Sequence, residues 1–211
     1  MLTKPWPLPP EQVSRYTNTW TDPEASGLLL WAIWAADGLF YLIELDEDTF
    51  GANVQRPAGQ RQEAVDVAHV RWATSTAITV LDLCAATLGR LYCSPRGSDM
   101  EYALEDFRGR AGRPHFAQLS PPAQEWVRVT VGDRDYRIVK RARNPLVHRR
   151  VRRTVYLSVG APPEAHGSRT GFYVGPKGAT VDSRPLIEMC GRLVERRLRA
   201  FLTGVADGSL R

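Results

Sequence analysis

The sequence predicts a mainly α-helical bundle with a small β-hairpin inserted before the C-terminal helix. Three patterns carry that expectation. From about Gln60 to Tyr92, Val67, Val70, Thr74, Ala77, Leu81, Ala85, Leu88 and Tyr92 recur every three or four residues, the apolar stripe of one long helix. From Asp182 or Ser183 to about Val205, Leu186, Met189, Cys190, Leu193, Val194, Leu198, Phe201 and Leu202 make a second stripe, with Pro185 in the first turn. Between them, Thr154–Val159 and Thr170–Val174 alternate like strands around a loop with Pro162, Pro163 and Gly167, a hairpin insertion at about 154–175.

In chain order, residues 1–20 form a Pro-rich N-terminal arm (Pro5, Pro7, Pro9, Pro10), expected as an extended segment or short turn, and 21–211 a single helical-bundle domain. Thr21 or Asp22 serves as an N-cap before Pro23, and the helix runs through Leu28, Trp31, Ile33 and Trp34. Its extent past Gly38 is left open by the strand-like run Leu39–Ile43. Glu44, Asp46, Glu47 and Asp48 then form an acidic cluster leading into a polar loop. On the long helix, Arg71, Ser75, Thr79 and Asp82 line a second, polar stripe, read most simply as its solvent side. Residues 94–120 are irregular apart from a short helix near Met100–Phe107, and Ser120-Pro121-Pro122 opens a helix over Ala123–Val129. The segment Arg134–Arg153 is expected to be a helix bent or restarted near Pro145, because proline disfavours helical geometry at Asn144 and removes a backbone donor.

The 211 residues suit one domain with a substantial core, and 43% hydrophobic with 24% charged residues excludes a disordered chain. The formal charge is +5, and all but three of the 28 basic residues are arginine. Nine of them fall between Arg134 and Arg153, a concentration that attracts polyanions. Cys84, Cys93 and Cys190 show no metal-ligand spacing and are expected as reduced, buried thiols. The apolar run Gly27–Leu45, broken by Asp37, Gly38 and Glu44, reads as a buried helix and not a membrane span. With no basic leader followed by an apolar stretch, the expected location is the cytoplasm.

The chemistry-bearing segment is Arg143-Asn144-Pro145-Leu146-Val147-His148. It sets a permanent cation, an amide and an imidazole that titrates near neutrality within one helical turn and a half, groups suited to phosphodiester chemistry. On a helix Asn144 and His148 share a face. The same Arg-x4-His spacing occurs from Arg110 to His115, in a Gly/Pro-rich stretch and with Ala111 after the arginine.

This hexapeptide, with Asn after the arginine, resembles the signature of the HEPN superfamily, helical bundles of which many are metal-independent endoribonucleases. The resemblance implies that His148 acts as general base or acid at a ribose 2′-hydroxyl or leaving 5′-oxygen, and that Arg143 holds the phosphate. Asn144 would orient the phosphate or imidazole. It further implies 2′,3′-cyclic phosphate and 5′-hydroxyl ends, no metal or other cofactor, and a homodimer whose two motifs face each other. A defence or toxin-like role follows, with an antitoxin or regulatory partner left unspecified. The basic residues Lys140, Arg141, Arg149, Arg150, Arg152 and Arg153 are the expected RNA contacts. Two alternatives stand beside it: a non-catalytic RNA- or nucleotide-binding module of the same fold, and a helical protein-interaction domain. In a purely structural role, Arg143 pairs with a carboxylate such as Asp82.

Overall fold

A computed structural model of the chain describes residues 8–51, 60–93, 102–107, 114–147, 153–156, 169–173 and 180–210. They are mainly helical. In order come α1 (Pro10–Thr17), α2 (Pro23–Gly51), α3 (Gln60–Tyr92), α4 (Leu104–Phe107), α5 (Pro114–Gln118), α6 (Pro121–Gly132), α7 (Arg134–Val147), β1 (Arg153–Tyr156), β2 (Arg169–Tyr173), β3 (Thr180–Asp182) and α8 (Ser183–Ala206).

The centre of the bundle is the pair α3 and α8, and α2 and α7 each pack against both. Small residues on α3 (Ala73, Thr74, Ala77, Ala85, Ala86) are buried, so neighbouring backbones approach closely, while Leu81 and Leu88 fill the gaps between them. Thr74, Thr87 and Thr130 are buried without an orphan hydroxyl. Each donates to the carbonyl four residues back, at 2.7, 2.9 and 2.7 Å. From α8, Leu193, Leu198 and Phe201 are fully buried, and Trp126 of α6 meets Phe201 edge to face at 5.1 Å while its indole N–H donates to the Arg197 carbonyl.

Several expectations are corrected. The N-terminal arm is not extended throughout: Pro10–Thr17 form α1, because Pro9 and Pro10 occupy the N-cap and first helical position, where a missing N–H costs nothing. The extent of α2, left open by the sequence, is settled by its passing Gly38 and the strand-like run to end only at Gly51, its inner residues Leu29, Ile33, Ala36, Leu39 and Ile43 seated on the core. By length and composition Pro23–Glu44 is apolar enough to cross a membrane, with a third of that span buried in the bundle. Helix α7 is continuous through Pro145, which stands in its last turn, so one lost backbone bond is all the proline removes. The hairpin strands pair antiparallel, Thr154 opposite Gly171, and β3 adds an unforeseen third strand in the order β1-β2-β3. Buried Phe172 on β2 ties the sheet to the bundle, where β2 touches α3, α7 and α8. Residues 174–179, between β2 and β3, lie outside the described residues.

One ion-pair network locks the start of α7 to α8. The Asp133 carboxylate accepts from both the Nε and Nη2 of Arg197, from Arg196 at 3.1 Å, and from the Asp135 backbone N–H at 2.8 Å. Burial alone raises this carboxyl, but the two guanidiniums and the backbone N–H outweigh it and hold Asp133 below its ordinary 3.8. A depressed folded value means the stabilisation is complete above the unfolded pKa and is lost as pH falls through the folded one. Asp133→Asn is therefore expected to cost about 2 kcal/mol at neutral pH, and thermal melts of the variant and parent should converge below about pH 4. A constant gap between the two down to pH 3 contradicts this account.

Candidate active site

Helix α7 presents two faces. Tyr136, Val139 and Ala142 are buried against the bundle, whereas Arg134, Arg137 and Arg141 are exposed and share the outer face. Arg143 and Asn144, adjacent in sequence, diverge by about 100° around the helix axis. Arg143 is half-buried on the inner flank, and Asn144 is half-buried at the border of the arginine face. Arg143 makes no hydrogen bond or ion pair among the described residues, and its Nε is buried without an acceptor.

The inner flank holds a polar cluster that joins three helices. Asp82 of α3 accepts from the Leu104 backbone N–H at 3.0 Å and so fixes the start of α4. Glu105 of α4 accepts from the Tyr136 hydroxyl at 2.9 Å and ion-pairs with Lys140, whose ammonium also lies over the Tyr136 ring. Burial pushes the Asp82 carboxyl above its ordinary 3.8. The Leu104 N–H and the positive charges of Arg143 and Lys140 pull it back, and Glu105 adds to the rise. Asp82 is thus the carboxylate that faces Arg143 electrostatically, at a separation too long for an ion pair.

Of the residues expected to act together, the structure gathers Arg143 and Lys140 around Asp82 and leaves Asn144 to the side. Lys140, expected to contact RNA, is committed to Glu105. Arg141 stands free on the outer face with Arg134 and Arg137. The Arg153 backbone opens β1 opposite Phe172. His148, Arg149, Arg150 and Arg152 lie outside the described residues, His148 directly after the last residue of α7. The second Arg-x4-His spacing is packed differently: the His115 ring meets Tyr102 edge to face at 5.3 Å, with its Nδ1 buried.

Sequence reasoning named Asp82 as a pairing partner but missed Glu105 and Tyr136, which reach the site only through the packing of α4 on α7. The polar stripe on α3 is split in the same way. Arg71 and Thr79 face solvent, and Asp82 alone of the four enters the cluster around Arg143. All three cysteines are buried and outside any disulfide, and burial raises the Cys84 and Cys190 thiols far above their ordinary value, which leaves both inert as nucleophiles. Among the described residues no group of three or more His, Cys, Asp or Glu is arranged to hold a metal ion. No protein-family model, curated protein or solved structure matches the chain.

Proposed function

We propose that the protein is an RNA-cleaving enzyme of HEPN type, acting without a metal through Arg143, Asn144 and His148. The observation that carries this reading is an arginine kept in reserve. Arg143 is held in a helix beside a largely buried carboxylate, yet it has no partner in the described chain to occupy its fork of donors. A half-buried, unengaged guanidinium is suited to a phosphate, which it grips in bidentate fashion and neutralises as charge builds on the non-bridging oxygens.

In this mechanism the imidazole of His148 removes the proton from a ribose 2′-hydroxyl. The 2′-oxygen attacks phosphorus, the bond from phosphorus to the 5′-oxygen breaks, and that oxygen leaves with a proton from solvent or from a second imidazole. Cyclic 2′,3′-phosphate and 5′-hydroxyl ends result. Asn144 orients the phosphate or the ring by hydrogen bonding. The exposed arginines of α7, Arg134, Arg137 and Arg141, track the backbone.

Those same arginines favour a second reading, a module that binds RNA without cutting it. One assay separates the two. In EDTA, wild type is expected to cleave RNA to cyclic-phosphate ends and His148→Ala to lose about 10²–10⁴-fold in rate while retaining RNA binding. Binding without cleavage by the wild type supports the second reading. Equal cleavage by both proteins removes His148 from the mechanism.

A further inference from the structure

A surface helix of a bundle ordinarily turns charged residues to water. Helix α2 does not. Between Ala25 and Ile43 its sole charged residue is Asp37, and its outward face carries Trp31, Trp34 and Tyr41, which are 60%, 51% and 68% exposed. Trp72 of α3, 43% exposed, extends the patch, its ring lying 3.7 Å from where a Cβ on Gly38 would stand. That separation is ordinary contact, so nothing among the described residues requires glycine at 38, although glycine inside a helix weakens it. The missing side chain leaves a shallow recess beside the Trp72 ring.

We propose that a second copy of this chain docks on this face, with the two α2 helices antiparallel about a two-fold axis level with Ala36. The order of the residues favours this occupant. Trp31, Trp34, Gly38 and Tyr41 are spaced three, four and three apart, a sequence of steps that reads the same in either direction. In an antiparallel pair, Trp31 then meets Tyr41 of the partner subunit, and Trp34 enters the recess over the partner's Gly38. Leu30 and Leu42 fall opposite each other under the same symmetry, as an isologous contact requires.

The exposed area agrees with the arrangement. The four rings leave exposed on the order of 400–500 Å² per copy, the greater part of the roughly 800 Å² per partner that a specific dimer buries.

The inference goes beyond the ribonuclease reading and does not rest on it. Because α7, which carries Arg143, packs on α3 and α8 without extensive contact with α2, this dimer uses a different face from the shared cleft that the HEPN resemblance implies.

The test is the oligomeric state of the full chain by sedimentation equilibrium. Wild type is expected at twice its 23.6 kDa mass. Trp34→Ala and Gly38→Gln should each weaken dimerisation by at least about 30-fold, the loss expected for a central hot spot, with helical circular dichroism unchanged and melting temperatures that match wild type at dilutions where both are monomeric. Mixing Trp31→Cys chains with Tyr41→Cys chains should yield a cross-linked heterodimer, whereas Trp31→Cys alone should not cross-link to itself. A wild-type monomer at its highest soluble concentration overturns the proposal, all the more if it binds phosphatidylcholine vesicles through Trp31 and Trp34. A dimer indifferent to both variants, or a 31-to-31 cross-link, overturns it equally.

Discussion

Arg143→Ala is expected to lower the rate of RNA cleavage by about 10²–10³-fold, the loss typical of removing one preorganised donor from a developing oxyanion. The same variant has a second signature in stability. Burial already holds the Asp82 carboxyl above its ordinary value, and Arg143 is one of the charges pulling it down. A carboxyl whose folded pKa exceeds its unfolded one contributes most below the unfolded value and loses that contribution as pH rises through the folded value. Removing Arg143 pushes the carboxyl further up. The variant should then melt lower than wild type at neutral pH and recover part of the difference as pH falls toward about 4. Adding Asp82→Asn keeps an acceptor for the Leu104 N–H and removes the buried charge, so the double variant should regain stability but not activity. Arg143→Lys preserves the charge and loses the planar fork, and should fall between the two in cleavage. Rates and melts across pH check all three, and wild-type cleavage by Arg143→Ala eliminates the proposed role.

The largest stability effect is expected at Gly89. A Cβ there would stand 2.3, 2.5 and 2.7 Å from Cδ2, Cγ and Cβ of Tyr102, distances at which the ring and its own root must move. Tyr102 has nowhere to go. It is buried, stacks on Phe107 at 5.4 Å and meets His115 at 5.3 Å. Gly89→Ala should cost about 3 kcal/mol or more, lowering the melting temperature by roughly 6–12 °C for a chain of this size. Gly27→Ala is the control. Nothing lies within 4 Å of its position in α2, so the same change should stabilise by about 0.5–1 kcal/mol. Equal effects at the two sites would mean that the α3–α4 packing is softer than described.

These contrasts mark what periodicity can and cannot convey. Helix α3 was legible because its stripe persists for about seven turns, and α8 because Ser183 and Pro185 announce it. The prolines misled where position mattered more than identity. Pro10 starts α1, Pro114 starts α5 and Pro145 sits harmlessly near the end of α7. Strand β3 is three residues long, too short to alternate visibly, and exists because β2 offers it an edge. At the site, the spacing from Arg143 to His148 could be read directly. The roles of Glu105 and Tyr136, and the capture of Lys140, are set by a contact between segments some thirty residues apart, which no local pattern encodes.

Trp31 and Trp34 stand edge to face, their ring centroids 5.3 Å apart, on the side of the molecule that water reaches. Indoles so close couple optically, and their emission follows the polarity around them, so the chain carries its own label on its outer helix. Trp126, sealed between α6 and α8, supplies a steady internal reference. A shift of emission to the blue as concentration rises, without change in the far-ultraviolet helical signal, would record that face going dry.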